Sequence, residues 1–356
     1  MSVTSVEEKG HSGQCNSKSL RALNAAKGGP KPAQMQRVHT HGEEFVLKKI
    51  RDLTVGETVE IYLLVKSGSI RLTRAQKPYL AMELFDGNDT ISATDWDYGN
   101  GEPPAKNAVL SITAQVTEYN NNKQLNIKAM TISDKGVELF APTGDVDVAY
   151  YVSKSKELIE GMTNLHVKEI TRRAFYENPV LWKTIPSANG IHHAFIAGNL
   201  KHSVDVALAA QALAGLYGAN EDLCVAGGLL QDFGKLWTYQ LTGAIIEMTD
   251  LGQLVEHIAI GIAKLEAYRT PENSAVMDLL QHLVASHHGK IEYGTTATPR
   301  FLEAMIVAAA DGLDAKAQTI KEANAKAKPT DKFTEKVWAI ENRQLFTQHY
   351  VWELMQ

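Results

Sequence analysis

Residues 227–237 read GGLLQDFGKLW, an apolar helical segment in which Gln231 and Asp232 are embedded. A carboxylate among leucines is costly to bury unless a cation or a set of hydrogen bonds compensates its charge. The same arrangement recurs in other apolar helical segments of the chain. The polar residues set into them are His202, His257, His287, His288 and Asp311. Imidazole and carboxylate groups are common ligands of divalent cations, and helices hold them rigidly, so the pattern predicts a metal site.

The region around these residues, from 150 to 356, has the apolar period of helices. Helices are predicted at about 156–176, 199–217, 220–240, 251–268, 272–288, 300–326 and 331–346. Gly, Pro and Asn signals separate them, as in TPEN at residues 270–273. About 200 residues of helix make one core of ordinary size, which predicts a single all-α domain over 150–356.

Residues 43–148 have a period of two instead, which is typical of half-buried strands separated by turns such as DGND at 86–89. The alternating apolar positions are Val59, Ile61, Leu63, Val65, Leu80, Met82, Leu84, Ile112, Ala114, Val116, Leu125, Ile127 and Ala129. Five or six short strands in about 90 residues suit a small closed barrel, so an OB-fold is the leading interpretation. A small β-sandwich fits the same period. The predicted fold class is α+β and multidomain, with an N-terminal OB-fold β-barrel followed by the all-α domain.

Residues 1–42 have almost no apolar period and are rich in Gly, Ser, Lys, Asn and Gln. Such a stretch buries too little apolar surface to offset the entropy lost on ordering, so a flexible tail is predicted. Its charge is +4, since it has six Lys and Arg residues and two glutamates. It is either a basic arm that strengthens contact with a nucleic acid or partner, or a solvated leader.

The composition of the 356-residue chain, 44% hydrophobic and 22% charged, excludes a collagen-like or largely disordered protein. No apolar run approaches the roughly 18 residues that cross a bilayer, and the start MSVTSVEEKGHSGQ is polar, so neither membrane insertion nor secretion is predicted. Two cysteines cannot make a disulfide framework, which favours a reducing cytoplasm. A net charge of −5 excludes only a histone-like binder, because a locally basic path can still hold nucleic acid.

The order of the embedded polar residues, from His202 through Gln231 and Asp232 to Asp311, resembles that of the HD-domain metal-dependent phosphohydrolases. Among these, the chain is most similar to the YhaM-type 3′–5′ exoribonucleases, in which an OB-fold precedes the HD domain. The likeness covers about residues 43–325, and Gln-Asp replaces the His-Asp signature of the family. The motifs that carry it are KPYLAMELFDGNDTISATDWD at 77–97, IHHAFIAGNLKHSVDVA at 191–207, GGLLQDFGK at 227–235, SHHGKIEYG at 286–294 and DGLDAK at 311–316.

The resemblance implies one or two divalent ions, Mn²⁺ or Mg²⁺, and a first position ligated by His202, Asp232 and Asp311. Gln231 then stands in the place of the missing imidazole. An amide oxygen is a weaker ligand than imidazole for transition metals, which leaves three outcomes open. The position holds a harder ion such as Mg²⁺ through Gln231, or only the second ion remains, or the chain has lost turnover and kept binding.

The resemblance also implies a second ion, bridged by Asp232 and held by His257 and His287. His288 either joins this ion or contacts the scissile phosphate. Lys235 lies three residues after Asp232 on the same helical face, and the resemblance implies that its ammonium group clamps the phosphate. Asp232, Lys235 and His288 are therefore the predicted catalytic residues.

Aromatic and basic residues at the predicted strand ends are candidate contacts with a single strand. Base stacking on aromatic rings is worth roughly 1–3 kcal/mol per base and tolerates any sequence. The candidates in the barrel are Trp96, Tyr98, Tyr119, Lys77 and Lys123. The alternative is that these aromatic rings close the barrel core. The resemblance implies that His192 and His193 lie in a loop at the mouth of the metal site, where they contact substrate. The alternative is a loop before the helix in which both imidazoles are simply exposed to solvent.

Together these features predict a metal-dependent 3′–5′ exonuclease on single-stranded RNA or DNA, with RNA favoured and nucleoside monophosphates released. Two alternatives stay open. One is a relative that binds single strands without cutting them, which Gln231 favours, and the other is a phosphohydrolase of free or cyclic nucleotides. The apolar segment 331–346 and the tail are candidate surfaces for self-assembly, so a homo-oligomer is a further expectation.

Overall fold

The computed structural model describes residues 38–40, 43–45, 48–120, 122–144, 146–188 and 193–355. The chain divides into two compact units, one ending at Leu47 and one beginning at Lys48. In the first unit, strands β1 (Val38–Thr40) and β2 (Glu43–Phe45) pair antiparallel. The rest of the predicted tail lies outside the described residues, so its flexibility stays a prediction.

Five strands of the second unit close into a barrel. They are β3 (Thr58–Leu72), β4 (Pro78–Phe85), β5 (Thr90–Asp95), β6 (Val109–Tyr119) and β7 (Asn122–Ile132). Their order around the barrel is β3-β4-β5-β7-β6, and neighbours are antiparallel except for β5 and β7. A closed five-stranded barrel with this crossover is an OB-fold, so that prediction is confirmed and the β-sandwich alternative is wrong.

Alternate residues of the strands fill the barrel interior. On β3, Val59, Ile61 and Leu63 are each at most 3% exposed, because successive side chains of a strand point to opposite faces. Each such side chain contributes about 1.5–3 kcal/mol by leaving water. The predicted alternation fails at Ala129, which is exposed. A register shift in the pairing of β6 with β7 reverses the face that β7 presents at this point.

Helices make up most of the chain from residue 148 onward and pack around one apolar core. They are α1 (Val148–Gly161), α2 (Leu165–Tyr176), α3 (Pro179–Thr184), α4 (Gly198–Tyr217), α5 (Glu221–Leu230), α6 (Lys235–Thr238), α7 (Asp250–Glu266), α8 (Ser274–Ser286), α9 (Leu302–Lys326) and α10 (Gln348–Leu354). Among the described residues, no helix combines the length and apolar character needed to cross a bilayer.

The helical part also contains two hairpins. Strands β8 (Tyr239–Thr242) and β9 (Ile245–Met248) form the first, and β10 (Phe333–Val337) and β11 (Arg343–Phe346) form the second. On the first hairpin, Glu247 forms an ion pair with Lys106, which lies in the loop between β5 and β6 of the barrel. The first hairpin therefore connects the helical part to the barrel.

The predicted helix over 331–346 is wrong, since these residues form the second hairpin. Glu341 and Asn342 have φ values of 53° and 57°, a left-handed conformation that turns the chain back before β11. The hydroxyl of Thr334, buried on β10, accepts from the backbone N–H of Leu345 on β11 at 3.0 Å. Apolar spacing alone did not reveal this turn.

The predicted helix over 220–240 is also shorter than expected. Helix α5 ends at Leu230, the residues from Gln231 to Gly234 turn, and the four-residue helix α6 leads directly into β8. This break places Gln231 and Asp232 on a tight turn at the end of a buried helix rather than in the middle of one.

Thr249 caps the N-terminus of helix α7. Thr249 Oγ1 accepts from the backbone N–H of Gly252 at 2.9 Å and donates to the carbonyl oxygen of Trp237 at 2.8 Å. We expect Thr249→Ala to lower the free energy of unfolding by about 1–2 kcal/mol, because both bonds are lost. Urea unfolding measures the change. Thr249→Ser keeps the hydroxyl and should retain most of the stability; equal losses in both variants would contradict the cap.

Candidate metal centre

Polar side chains from several separate elements of the helical part meet in one buried cluster. Residues as far as 121 positions apart in sequence are in contact there, because the elements that carry them pack on the same core. The cluster consists of His193 before α4, His202 on α4, Gln231 and Asp232 after α5, His257 on α7, His287 and His288 after α8, and Asp311 and Asp314 on α9.

His202, which is 2% exposed, lies at the centre of one half of the cluster. Its Nδ1 donates to Asp314 Oδ2 at 2.7 Å, and its Nε2 lies 3.1 Å from Asp311 Oδ1 and 3.3 Å from Asp232 Oδ2. The amide nitrogen of Gln231 is 3.1 Å from the same Nε2. Burial by itself lowers the pKa of His202, but hydrogen bonds to the three carboxylates raise it well above its usual value.

Asp232 is 1% exposed and links the two halves through its two oxygens. Oδ2 accepts from Lys235 Nζ at 2.8 Å, while Oδ1 lies 3.5 Å from Nε2 of both His257 and His287. The ammonium group of Lys235 also donates to Ser187 Oγ at 3.3 Å. Burial tends to raise the pKa of Asp232, but the charge of Lys235 and the hydrogen bond from His202 hold it well below its usual value, so the group is ionised at neutral pH.

The histidines of the other half are arranged as ligands. Nδ1 of His287 donates to the carbonyl oxygen of Val284 at 2.8 Å, and Nδ1 of His288 to that of Tyr293 at 2.9 Å, which leaves Nε2 of each ring as an acceptor. Burial lowers the pKa of His288 to about 4 and that of His257 well below its usual value. These two imidazoles are therefore neutral at pH 7, the form that binds a metal.

This half of the cluster fits a divalent cation. Within the described part of the chain, Asp232 Oδ1, His257 Nε2 and His287 Nε2 are buried and have no hydrogen-bond partner. Each such atom costs about 1–3 kcal/mol when it stays unpaired. Ligand atoms of His257, His287 and His288 lie within 4.8 Å of one another, and imidazole with carboxylate is a donor set that divalent transition metals accept.

The backbone positions His257 by two close constraints. Glu256, directly before it, has φ 65° and ψ 161°, which interrupts α7 at this point. On the other side, a Cβ atom on Gly234 would lie 1.8 Å from the carbonyl oxygen of His257 and 2.6 Å from the nitrogen of Gly261. Only a residue without a side chain permits this approach. The turn that carries Asp232 is therefore held directly against the backbone of α7.

Every residue predicted to bind metal or act in catalysis belongs to this cluster or contacts it. His193, predicted at the mouth of the site, is instead fully buried, and its Nε2 donates to Asp314 Oδ2 at 2.9 Å. His192 lies outside the described residues. Asp314 is absent from the predicted set. Its signal in the sequence is its position three residues after Asp311 on the same helical face.

Three of the predicted contacts with a single strand lie at one end of the barrel. Trp96 is 45% exposed and packs on Tyr79, with 4.8 Å between ring centroids. Tyr98 is partly buried against the barrel core, so its ring does close the barrel, as the alternative interpretation proposed. Lys77 forms an ion pair with Asp97 at 2.8 Å. Trp96 is the one of the three that presents a large open ring face.

The other two predicted contacts lie at the opposite end. Tyr119, at the tip of the β6–β7 hairpin, is 67% exposed, and Lys123 Nζ donates to the carbonyl oxygen of Leu53. The strand pairing separates Tyr119 from Trp96 by about six residues along the strands, or about 20 Å. The predicted contacts therefore do not form one patch.

The cluster lies mostly in the segment that matches a known family. Residues 199–316 match the family model of the HD domain, so the helical part contains an HD domain. The chain is 32% identical over 319 residues to the 3′–5′ exoribonuclease YhaM of Geobacillus sp. (strain WCH70), a match that spans 87% of this chain and 98% of the relative. The chain belongs to the YhaM family of 3′–5′ exoribonucleases.

Solved OB-folds resemble the barrel. The second OB-fold domain of replication protein A from Methanococcus maripaludis is 15% identical, with a TM-score of 0.22, and the match covers 25% of this chain and 96% of that domain. The OB domain of Ta0387 from Thermoplasma acidophilum is 16% identical, with a TM-score of 0.21, covering 25% of this chain and 89% of that one. The strand order alone identifies the barrel as an OB-fold.

Proposed function

We propose that this protein is a metal-dependent 3′–5′ exonuclease that shortens single-stranded nucleic acid, prefers RNA to DNA and releases nucleoside monophosphates. One observation carries the proposal: Asp232 Oδ1 faces Nε2 of His257 and of His287 at 3.5 Å in a buried cluster. The cluster lies in a chain that covers 98% of an exoribonuclease of the YhaM type. HD-domain hydrolases depend on metal, and the identity of the ion, Mn²⁺ or Mg²⁺, is part of the proposal.

The residues of the cluster supply two ion positions. The first is surrounded by His202, Gln231, Asp232 and Asp311, and the second by Asp232, His257 and His287. A bound divalent cation supplies a polarised phosphoryl oxygen and a water of lowered pKa. The role of the protein is to hold the ligand atoms rigidly, since each comes from a helix or a turn packed on the core.

Lys235 and His288 act on the substrate side. Lys235 Nζ is held by Asp232 and Ser187 and remains 13% exposed, so its charge stabilises a phosphate that reaches the cluster. His288 is partly exposed and neutral at pH 7, since burial lowers its pKa to about 4. It contacts the scissile phosphate or completes the second ion position.

The barrel holds the single strand. Trp96 and Tyr119 present exposed rings at its two ends, and Lys77 and Lys123 lie beside them. Two stacking points about 20 Å apart fit a strand that runs along the barrel rather than a compact ligand bound at one point.

Trp96→Ala tests the barrel. We expect it to weaken binding of a single-stranded RNA about 5- to 150-fold, since one stacked base is worth about 1–3 kcal/mol. Fluorescence anisotropy in EDTA, which prevents cleavage, measures Kd. Trp338 is 78% exposed, lies on the second hairpin and belongs to none of the barrel strands, so Trp338→Ala is the matched control and should leave Kd unchanged. Equal Kd values for Trp96→Ala and the unmodified protein would contradict a contact at this end.

End-labelled single strands test the function itself. With Mn²⁺ or Mg²⁺, a 5′-labelled RNA should shorten stepwise, a 3′-labelled RNA should release labelled monophosphate at once, and EDTA should stop both reactions. A series of chain lengths, down to a single nucleotide, separates an exonuclease from a phosphohydrolase of free nucleotides. Absence of shortening, with Gln231 and with the Gln231→His variant, would remove the proposal.

Gln231 favours a second candidate, a family member that retains single strands without cleaving them. Glutamine replaces the histidine of the family's His-Asp signature, and its amide nitrogen lies 3.1 Å from His202 Nε2. For this candidate, RNA binding survives EDTA, the unmodified protein leaves labelled strands intact, and Gln231→His gains cleavage. Cleavage by the unmodified protein excludes it.

A cytoplasmic location and a homo-oligomer are also inferred from the sequence alone. Size-exclusion chromatography with light scattering tests the oligomer. An apolar helix at 331–346 does not contribute to it, because that segment is the hairpin of β10 and β11.

A further inference from the structure

The two halves of the cluster differ in how far the protein itself satisfies their polar atoms. Around the first ion position, His202 Nδ1 is bonded to Asp314 at 2.7 Å, its Nε2 lies 3.1 Å from Asp311, and Asp232 Oδ2 accepts from Lys235 at 2.8 Å. Each of these atoms has a partner within the chain, whereas the amide oxygen of Gln231 is buried without one among the described residues. The imidazole and carboxylate atoms named here are therefore paired without an ion.

Gln231 adds to this difference. Its side chain is fully buried and its amide lies 3.1 Å from His202 Nε2, where the family has a further imidazole. The other polar atom of the amide, Oε1, has no hydrogen-bond partner within the described part of the chain. A neutral amide is a weaker ligand for a transition metal than imidazole, so the substitution removes a strong donor from this position alone.

The second position has the opposite character. Asp232 Oδ1, His257 Nε2 and His287 Nε2 have no hydrogen-bond partner within the described part of the chain. Because Nδ1 of His287 donates to a carbonyl, its Nε2 presents a lone pair to a carboxylate oxygen 3.5 Å away. Two acceptors facing each other in a buried site repel one another unless a cation lies between them.

The spacing of these atoms suits an ion. Two donors that each lie about 2.1 Å from a metal, at a tetrahedral angle, are about 3.4 Å apart. Asp232 Oδ1 lies 3.5 Å from both imidazole nitrogens, and His288 offers a third imidazole within 4.8 Å of them. The donor set is three imidazoles and one carboxylate.

We propose that this chain binds one divalent transition-metal ion tightly, between Asp232, His257, His287 and His288, and that glutamine at 231 leaves the position beside His202 without a tightly bound ion. Three imidazoles favour a first-row transition metal over Mg²⁺, so of the two ions inferred for the activity this site takes Mn²⁺. This assignment deepens the proposed function and rests on it for the catalytic role of the ion. The number of ions bound per chain does not depend on the proposed function.

Metal counting tests it without any nucleic acid. The full-length protein is stripped with chelator, dialysed against Mn²⁺ or Mg²⁺, desalted and analysed by mass spectrometry for metal per chain. We expect about one Mn²⁺ and no retained Mg²⁺ for the unmodified protein, no ion for His287→Ala, and about two for Gln231→His. His282 lies on α8, takes no part in the cluster and accepts from the backbone N–H of Arg300 at 3.1 Å, so His282→Ala is the matched control and should keep about one ion.

Pulsed electron paramagnetic resonance of Mn²⁺ in the unmodified protein gives an answer that needs no variant. The second position predicts coupling to several imidazole nitrogens, whereas the first contains only His202. Two tightly bound Mn²⁺ ions in the unmodified protein, coupling to a single imidazole, or an unchanged count in a folded His287→Ala variant would each overturn the inference. One bound ion without strand cleavage would preserve it and contradict the proposed function instead.

Discussion

Asp232→Asn is expected to lower kcat/KM for strand shortening by at least about a thousandfold, which corresponds to about 4 kcal/mol of transition-state stabilisation. The reason is that both oxygens of Asp232 are in use. Oδ2 lies against Lys235, and Oδ1 faces His257 and His287. Asparagine keeps the volume but has one acceptor and no charge, so it cannot serve both halves of the cluster. Labelled-strand assays measure the rate, and metal counting measures the expected loss of the ion.

The matched control is another aspartate of the helical part. Asp205, on α4, accepts from Tyr151 Oη at 3.2 Å and pairs with Lys201, and it takes no part in the cluster. Asp205→Asn should cleave at the unmodified rate. If Asp232→Asn cleaved equally well and kept its metal, the active site would have to lie elsewhere.

Gly234→Ala is expected to lower the free energy of unfolding by about 3 kcal/mol or more, the largest stability loss expected from adding a single carbon in this domain. The new Cβ would meet the carbonyl oxygen of His257 at 1.8 Å and the nitrogen of Gly261 at 2.6 Å. Both are backbone atoms, so α7 or the turn has to shift. Denaturant unfolding measures the loss, and the same shift should weaken metal binding, since it separates Asp232 from His257.

Gly215 provides the comparison. It lies in the last turn of α4, is exposed, and has no heavy atom within 4 Å of the position of an added Cβ. Gly215→Ala should therefore raise the free energy of unfolding by about 0.5–1 kcal/mol, the ordinary gain of alanine over glycine in a helix. If Gly234→Ala and Gly215→Ala lowered the free energy of unfolding equally, the close contact between the turn and α7 would not explain why glycine is required at position 234.

The barrel could be predicted largely from local pattern. Alternation at Val59, Ile61 and Leu63 requires only that neighbouring side chains of a strand face opposite ways, and all three are buried as expected. Ala129 departs from the pattern because a register shift with β6 depends on a second strand. Likewise, the hairpin of β10 and β11 depends on a turn whose left-handed residues leave no apolar signature.

The candidate site was predicted by residue type and spacing, with the help of the family resemblance. His202, Asp232, His257 and His287 stand out because each is a polar group in an apolar helical segment. Asp314 does not stand out in this way, yet it lies 2.7 Å from His202, 112 residues away in sequence.

The sequence by itself determined the strands of the barrel, most of the helices and most of the polar groups that must be buried, because hydrophobic period and the cost of an isolated charge are properties of short segments. Only the tertiary structure decided which atoms meet. It placed one oxygen of Asp232 against Lys235 and the other against two imidazoles, buried His193, and left Trp96 open to solvent. These contacts join elements that are distant in the chain, so they follow from the packing of helices and strands on shared cores and not from any local pattern.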